Sequence, residues 1–128
     1  MNVRLFLIAL VLTLGAVMAG AAFADRGATA SEHRAIIAAD PYAKTISAPC
    51  LGILRIRVST ANPRYALVTL KPGRLPKACV RFGANGYNID RRTGRRWAFL
   101  LSSGYDAAPC DLIGRRVARD LLPGVPCR

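Results

Sequence analysis

Four cysteines, Cys50, Cys79, Cys110 and Cys127, restrict what this chain can become more than any other feature. An even number of cysteines in a small exported chain reads as a disulfide framework. Structural zinc would need clustered ligands, such as paired Cys-x-x-Cys units or histidines. Here 28, 30 and 16 residues separate successive cysteines, and the only histidine is His33. The lack of Cys-x-x-Cys also argues against a thioredoxin-like oxidoreductase. No metal and no cofactor is therefore expected.

Four cysteines permit three pairings, and spacing alone does not choose among them. Chain geometry favours Cys50–Cys79 and Cys110–Cys127. A helix over residues 113–121 would carry the chain about 12 Å. The following Leu-Pro-Gly-Val-Pro-Cys, residues 122–127, is non-helical and can span up to about 20 Å. It can therefore return Cys127 to the side of Cys110. Closing such a loop is worth on the order of 3 kcal/mol.

The first 24 residues read as a secretory signal. Arg4 and the free amine precede an apolar run from Leu5 to Gly20, and Ala22-Phe23-Ala24 fits the small-x-small cleavage rule. The alternative is an uncleaved anchor, because Leu5 to Ala24 is about long enough to span a bilayer. With cleavage, Asp25–Arg128 forms a single small secreted domain with no transmembrane segment. A domain this small buries only about 60–65% of its unfolded surface, so covalent staples matter.

Within that domain the order is helix, four strands, helix. Thr29 and Glu32 have capping-box spacing before a helix over 30–39, which Asp40-Pro41 ends. Leu54, Ile56 and Val58 alternate with Arg55 and Arg57, and residues 65–70 form the return strand. Ala78 to Phe82 starts a third strand, which continues to Asp90 past a bulge at Gly83 to Gly86. A turn at Arg91 to Gly94, preferred over the alternative at Asn85-Gly86 because it gives longer strands, leads into the fourth strand, with Trp97, Phe99 and Leu101 on one face. Asp25 to Ala28 is expected to be a loose arm. The fold class is α+β: an N-terminal helix, a four-stranded antiparallel sheet and a short C-terminal helix clasped by a disulfide.

From Trp97 to Cys127 the chain resembles the tail of a group of small exported bacterial proteins. Their pattern runs Trp, an apolar strand, Gly-Ser, Cys, Val-Pro-x-x-Val-x-x-Asp-Leu and a final Cys. Trp97, Cys110, Val117, Asp120, Leu121 and Cys127 match it. Gly114 stands where the pattern has proline, and Ser103-Gly104 reverses the Gly-Ser. The group has no assigned activity, so the resemblance implies the clasp and no function.

Charge supplies the functional expectation. The exported part holds 18 basic and 7 acidic side chains, with arginine outnumbering lysine 15 to 3. Such a domain is drawn to anionic envelope polymer, extracellular polymer or a membrane surface. The densest cluster is Arg91, Arg92, Arg95 and Arg96 around a hairpin tip, able to hold phosphate or carboxylate bidentately. Arg55 and Arg57 extend it across the sheet, and Asp90 offsets one of its charges. On the C-terminal helix, Ile113, Val117 and Leu121 form an apolar stripe. Arg115, Arg116 and Arg119 take the solvent side, where Arg116 can pair with Asp120.

Specific nucleic-acid recognition is not expected: Tyr65 and Tyr87 are surface candidates, but neither lies in a recognised RNA-binding motif. No catalytic residue is assigned. A hydrolase or phosphodiesterase using His33 is the alternative function. A further alternative is an inhibitor or adaptor of another secreted protein, presenting the turn at residues 60–64.

Overall fold

The computed structural model describes residues 25–128; the signal segment proposed above lies outside the described residues. The fold is α+β, and its sheet has five strands, not four. In chain order the elements are β1 (Arg26–Gly27), α1 (Ala30–Ala39), β2 (Leu54–Val58), β3 (Tyr65–Leu70), β4 (Tyr87–Thr93), β5 (Arg96–Ser103), α2 (Cys110–Ile113) and α3 (Arg115–Leu121). The strands lie side by side in sequence order, and every neighbouring pair is antiparallel.

The additional strand is the segment expected to be a loose arm. Arg26 pairs with Val58 and Gly27 with Arg57, and the Ala28 amide donates to the Ile56 carbonyl. Two ion pairs hold it in place, Arg26 to Glu32 at 2.9 Å and Asp25 to Arg57. Its two residues carry no apolar periodicity, so their strand character comes from tertiary contacts alone.

Alternation along the strands builds two cores, one on each face of the sheet. Ile56, Val58, Ala66, Val68 and Trp97 pack against Ile36 of α1 and against short 3-10 turns. Tyr65, Leu67, Tyr87 and Ile89 pack against Ile113, Val117 and Leu121. β3 is buried on both sides, which explains its nearly continuous apolar run. The helices would be marginal alone and are held by these apolar faces.

The first-face core is stapled by Cys50–Cys79, with Cα atoms 5.6 Å apart. Cys50 lies in a 3-10 turn, Ala48–Ile53, and Cys79 in another, Lys77–Phe82. The second turn replaces the strand expected from Ala78 to Phe82. β-Branched and aromatic residues there favoured extended chain, but Pro76 starts a tight turn and the disulfide holds Cys79 against the first turn. The irregularity in the sheet lies in β5 instead. The register shifts between Ile89 and Asp90, which face Leu101 and Phe99, leaving Leu100 as the extra residue. Trp97 and Leu101 consequently face opposite cores, not one.

On the second face, Cys110–Cys127 joins Cα atoms 5.4 Å apart. A backbone bridge reinforces it: Ala108 donates to Pro126 and accepts from Arg128. The single C-terminal helix expected here is two, α2 and α3, broken at Gly114. Its φ of +84° and ψ of 148° are open to glycine and costly for other residues.

Asp120 is not on the solvent side with Arg116. It is 3% exposed and clamps the β2–β3 turn. Its Oδ2 accepts from the Ser59 hydroxyl (2.6 Å) and from the Thr60 and Ala61 amides (2.7 and 3.3 Å). Replacing it takes this acceptor from the buried Ser59 hydroxyl and from two part-buried backbone amides. Asp120→Ala should lower unfolding free energy by about 2–4 kcal/mol in urea titrations, and Asp120→Asn, which keeps one acceptor oxygen, by less. Equal losses in the two variants would show that the clamp depends on charge rather than on hydrogen-bond geometry.

Candidate functional site

The β4–β5 hairpin carries the four arginines around a two-residue turn, Gly94-Arg95. Gly94 has a φ of +61°, the requirement at the first position of the II′ turns that suit such hairpins. Alternation then decides where each guanidinium goes. Arg91 is opposite Tyr65 on one side and Ala98 on the other, so it shares the face covered by α3. Arg96, opposite Thr93, lies on that same face. Arg92 is opposite Trp97 and belongs to the face covered by α1. Arg95 is at the tip.

The arginines therefore do not form the single patch that their crowding in sequence suggested. They wrap the hairpin on both faces and its end. Two rest on aromatic rings: Arg91 lies 5.8 Å from the Tyr65 centroid and Arg92 5.9 Å from that of Trp97. Such stacking steers a guanidinium while leaving its donors to other partners.

Arg55 is exposed, as a ligand-binding residue must be. Arg57 is not available. It donates to the Leu121 carbonyl at the end of α3 (2.7 Å) and pairs with Asp25, so it ties the residue before β1 to the last helix. Tyr65 and Tyr87 are buried, at 8% and 3% exposure, and cannot stack bases. His33 sits half-buried in the first turn of α1, next in sequence to the Glu32 that pairs with Arg26. Among the described residues, no group of three or more His, Cys, Asp or Glu side chains converges as a metal site would require. None of the described helices is long and apolar enough to cross a membrane.

The carboxylates hold the main surprise. Asp40, Asp90 and Asp120 are at most 3% exposed. Asp25 and Glu32 are held by Arg57 and Arg26. Of the seven acidic side chains, that leaves only Asp106 and Asp111 exposed and outside these contacts. The outer surface is therefore more cationic than the overall balance of charges suggests.

Asp90, expected to offset an arginine, turns inward beside Asp40. Asp40 ends α1, and its Oδ1 accepts from the Tyr42 and Ala43 amides (2.9 and 2.7 Å). Its Oδ2 accepts from the Asn88 side-chain amide at 2.9 Å. Neither Asp90 oxygen meets a donor among the described residues. Burial first, then the charge and hydrogen bonding of Asp40, push the Asp90 carboxyl up to about 8. A proton on Asp90, directed at Asp40, puts a hydrogen bond in place of two facing charges. Burial and Asp40 likewise raise the Tyr42 hydroxyl, which donates to the Phe82 carbonyl.

One signal could have pointed to this pair. A carboxylate at the C-terminal end of a helix opposes the helix dipole, so Asp40 needs other partners. Asn88 and Asp90 gave no such signal, because alternating polar residues on a strand ordinarily read as a solvent face.

Compared with protein-family models, with curated proteins and with solved structures, the chain matches none.

The raised Asp90 value has a definite sign. The folded state holds a proton that the unfolded chain releases near its ordinary value of 3.8. Asp90's contribution to stability is thus fully present below about pH 4 and is lost as pH rises to about 8. Unfolding free energy should fall with rising pH between about 5 and 8, by at most about 1.4 kcal/mol per unit from this group. Denaturation midpoints across that range should flatten in Asp90→Asn. A wild-type profile already flat from pH 5 to 8 would contradict the shared proton.

Proposed function

We propose that this protein is an exported binding module that adheres to anionic polymer of the cell envelope or the extracellular space. The observation that carries this reading is the withdrawal of carboxylates from the surface. Two disulfides fit an oxidising, extracytoplasmic compartment, where such polymers are found. The resemblance of the C-terminal part to small exported bacterial proteins points to the same compartment.

Within that surface the β4–β5 hairpin is the proposed grip. Arg91 and Arg96 on one face, Arg92 on the other and Arg95 at the tip suit a pliable polyanion that can bend around a narrow edge. A flat membrane would meet only one of these faces. Arg55 adds to the face of Arg91 and Arg96, while Arg57 acts as an internal tie. No specific geometry favours the His33 hydrolase, and the turn at residues 60–64 offered for an inhibitor is fastened by Asp120.

Retention on dextran sulfate and on poly-glutamate matrices tests the reading. The quadruple variant Arg91→Glu, Arg92→Glu, Arg95→Glu, Arg96→Glu should elute at roughly half the salt needed for the parent, since screened surface attraction sets retention. Arg55→Glu should give a smaller decrease. Arg57→Gln should elute with the parent but unfold more easily. Parent-like retention of the quadruple variant would rule out the hairpin as the grip.

A further inference from the structure

We propose that a recessed groove beside the Cys50–Cys79 disulfide binds a single-chain amphiphilic anion, an alkyl chain ending in a carboxylate. This inference stands apart from the hairpin and does not depend on polymer adhesion.

The groove has a volume of about 410 Å³, within the range of small-molecule sites. Ile53 and Leu75 provide apolar lining, Pro49 and Pro76 stiffen it, and Lys71 and Arg74 also line it. This is the composition expected of a site for an apolar body with one anionic group: an apolar surface and a few cations for orientation. The wider chain agrees. Residues 41–89 hold eight lysines and arginines and no acidic side chain. Nothing in that stretch competes with a ligand for Lys71 or Arg74 as a carboxylate of its own.

The groove is also preformed. The disulfide fixes one 3-10 turn against the other, and the Lys71 amide donates to the Ile53 carbonyl at 2.8 Å, tying the two sides together. Rigid walls reduce the ordering cost of binding. The apolar surface is hollow, and Leu75 is half-buried in it, not projecting. Val80, 59% exposed, is the large apolar side chain that stands out among residues 71–82. A single inserted valine is a weak hold on a bilayer, whereas a hollow suits one dissolved chain. A sugar polymer would leave its hydroxyl groups facing the apolar lining unpaired.

Gly52 makes the test clean. It lines the groove, a Cβ added there meets nothing within 4 Å, and its backbone conformation is an ordinary one. Gly52→Trp should fill the hollow without disturbing the fold. Calorimetric titration with dodecanoate, below its micelle concentration, should show saturable one-to-one binding. Dodecyltrimethylammonium should bind at least tenfold more weakly, and acetate should not saturate. Gly52→Trp should abolish dodecanoate binding while its thermal midpoint and its retention on dextran sulfate stay at parent values. The double variant Lys71→Glu, Arg74→Glu should weaken dodecanoate at least tenfold. Parent-like dodecanoate binding by folded Gly52→Trp would overturn the proposal, and so would equal binding of the anionic and cationic chains. Capture on phosphatidylglycerol vesicles that requires an open groove, without binding of free dodecanoate, would overturn it in favour of a membrane lipid.

Discussion

The architecture depends on one constraint: a sheet with a core on each face, covered by pieces too short to be stable by themselves. α1 has ten residues, α2 four and α3 seven, and the rest of the cover is 3-10 turn and loop. Apolar contact alone orders such fragments poorly. Each is therefore fastened at a specific point. The two disulfides fasten the turns on one face and the C-terminal segment on the other. Asp120 fastens α3 to the β2–β3 turn, Arg57 fastens it to Asp25, and Asp40 fastens the end of α1 to Asn88 on β4.

This use of acidic residues links stability to surface chemistry. A basic domain ordinarily spends its few carboxylates on neutralising exposed arginines. Here three are internal acceptors or, for Asp90, a proton-bearing neighbour of one. The surface loses its counter-charges as the interior gains its fasteners. The same arrangement ties the stability of the fold to pH between about 4 and 8 through Asp90, without placing that group where a ligand could reach it.

The regular features are legible in the amino-acid sequence. Alternation in β2 and β3, the cap at Thr29 and the loop length between Cys110 and Cys127 are local signals, and local signals survive into the fold. The features that are not legible depend on distant partners. β1 exists because Arg57, Glu32 and the Ile56 carbonyl are nearby in space. The 3-10 turn at Cys79 exists because of a bond to a residue 29 positions away. Asp120 follows three arginines on a plausible helix face, and its contact with Ser59 shows it to be inward. The hairpin arginines are findable as a cluster, but their division between two faces follows from register, which composition does not encode.

The displaced residue in β5 has a consequence for how these molecules coexist. An eight-residue strand at the rim of a sheet, carrying Ala98, Phe99, Leu100 and Leu101, is otherwise an invitation for a second chain to add alongside. The bulge at Leu100 breaks the even spacing of donors and acceptors that an added strand would need. Strong like charge on every copy discourages the approach itself. Copies of the chain can thus reach high local density while their strands remain unpaired with one another.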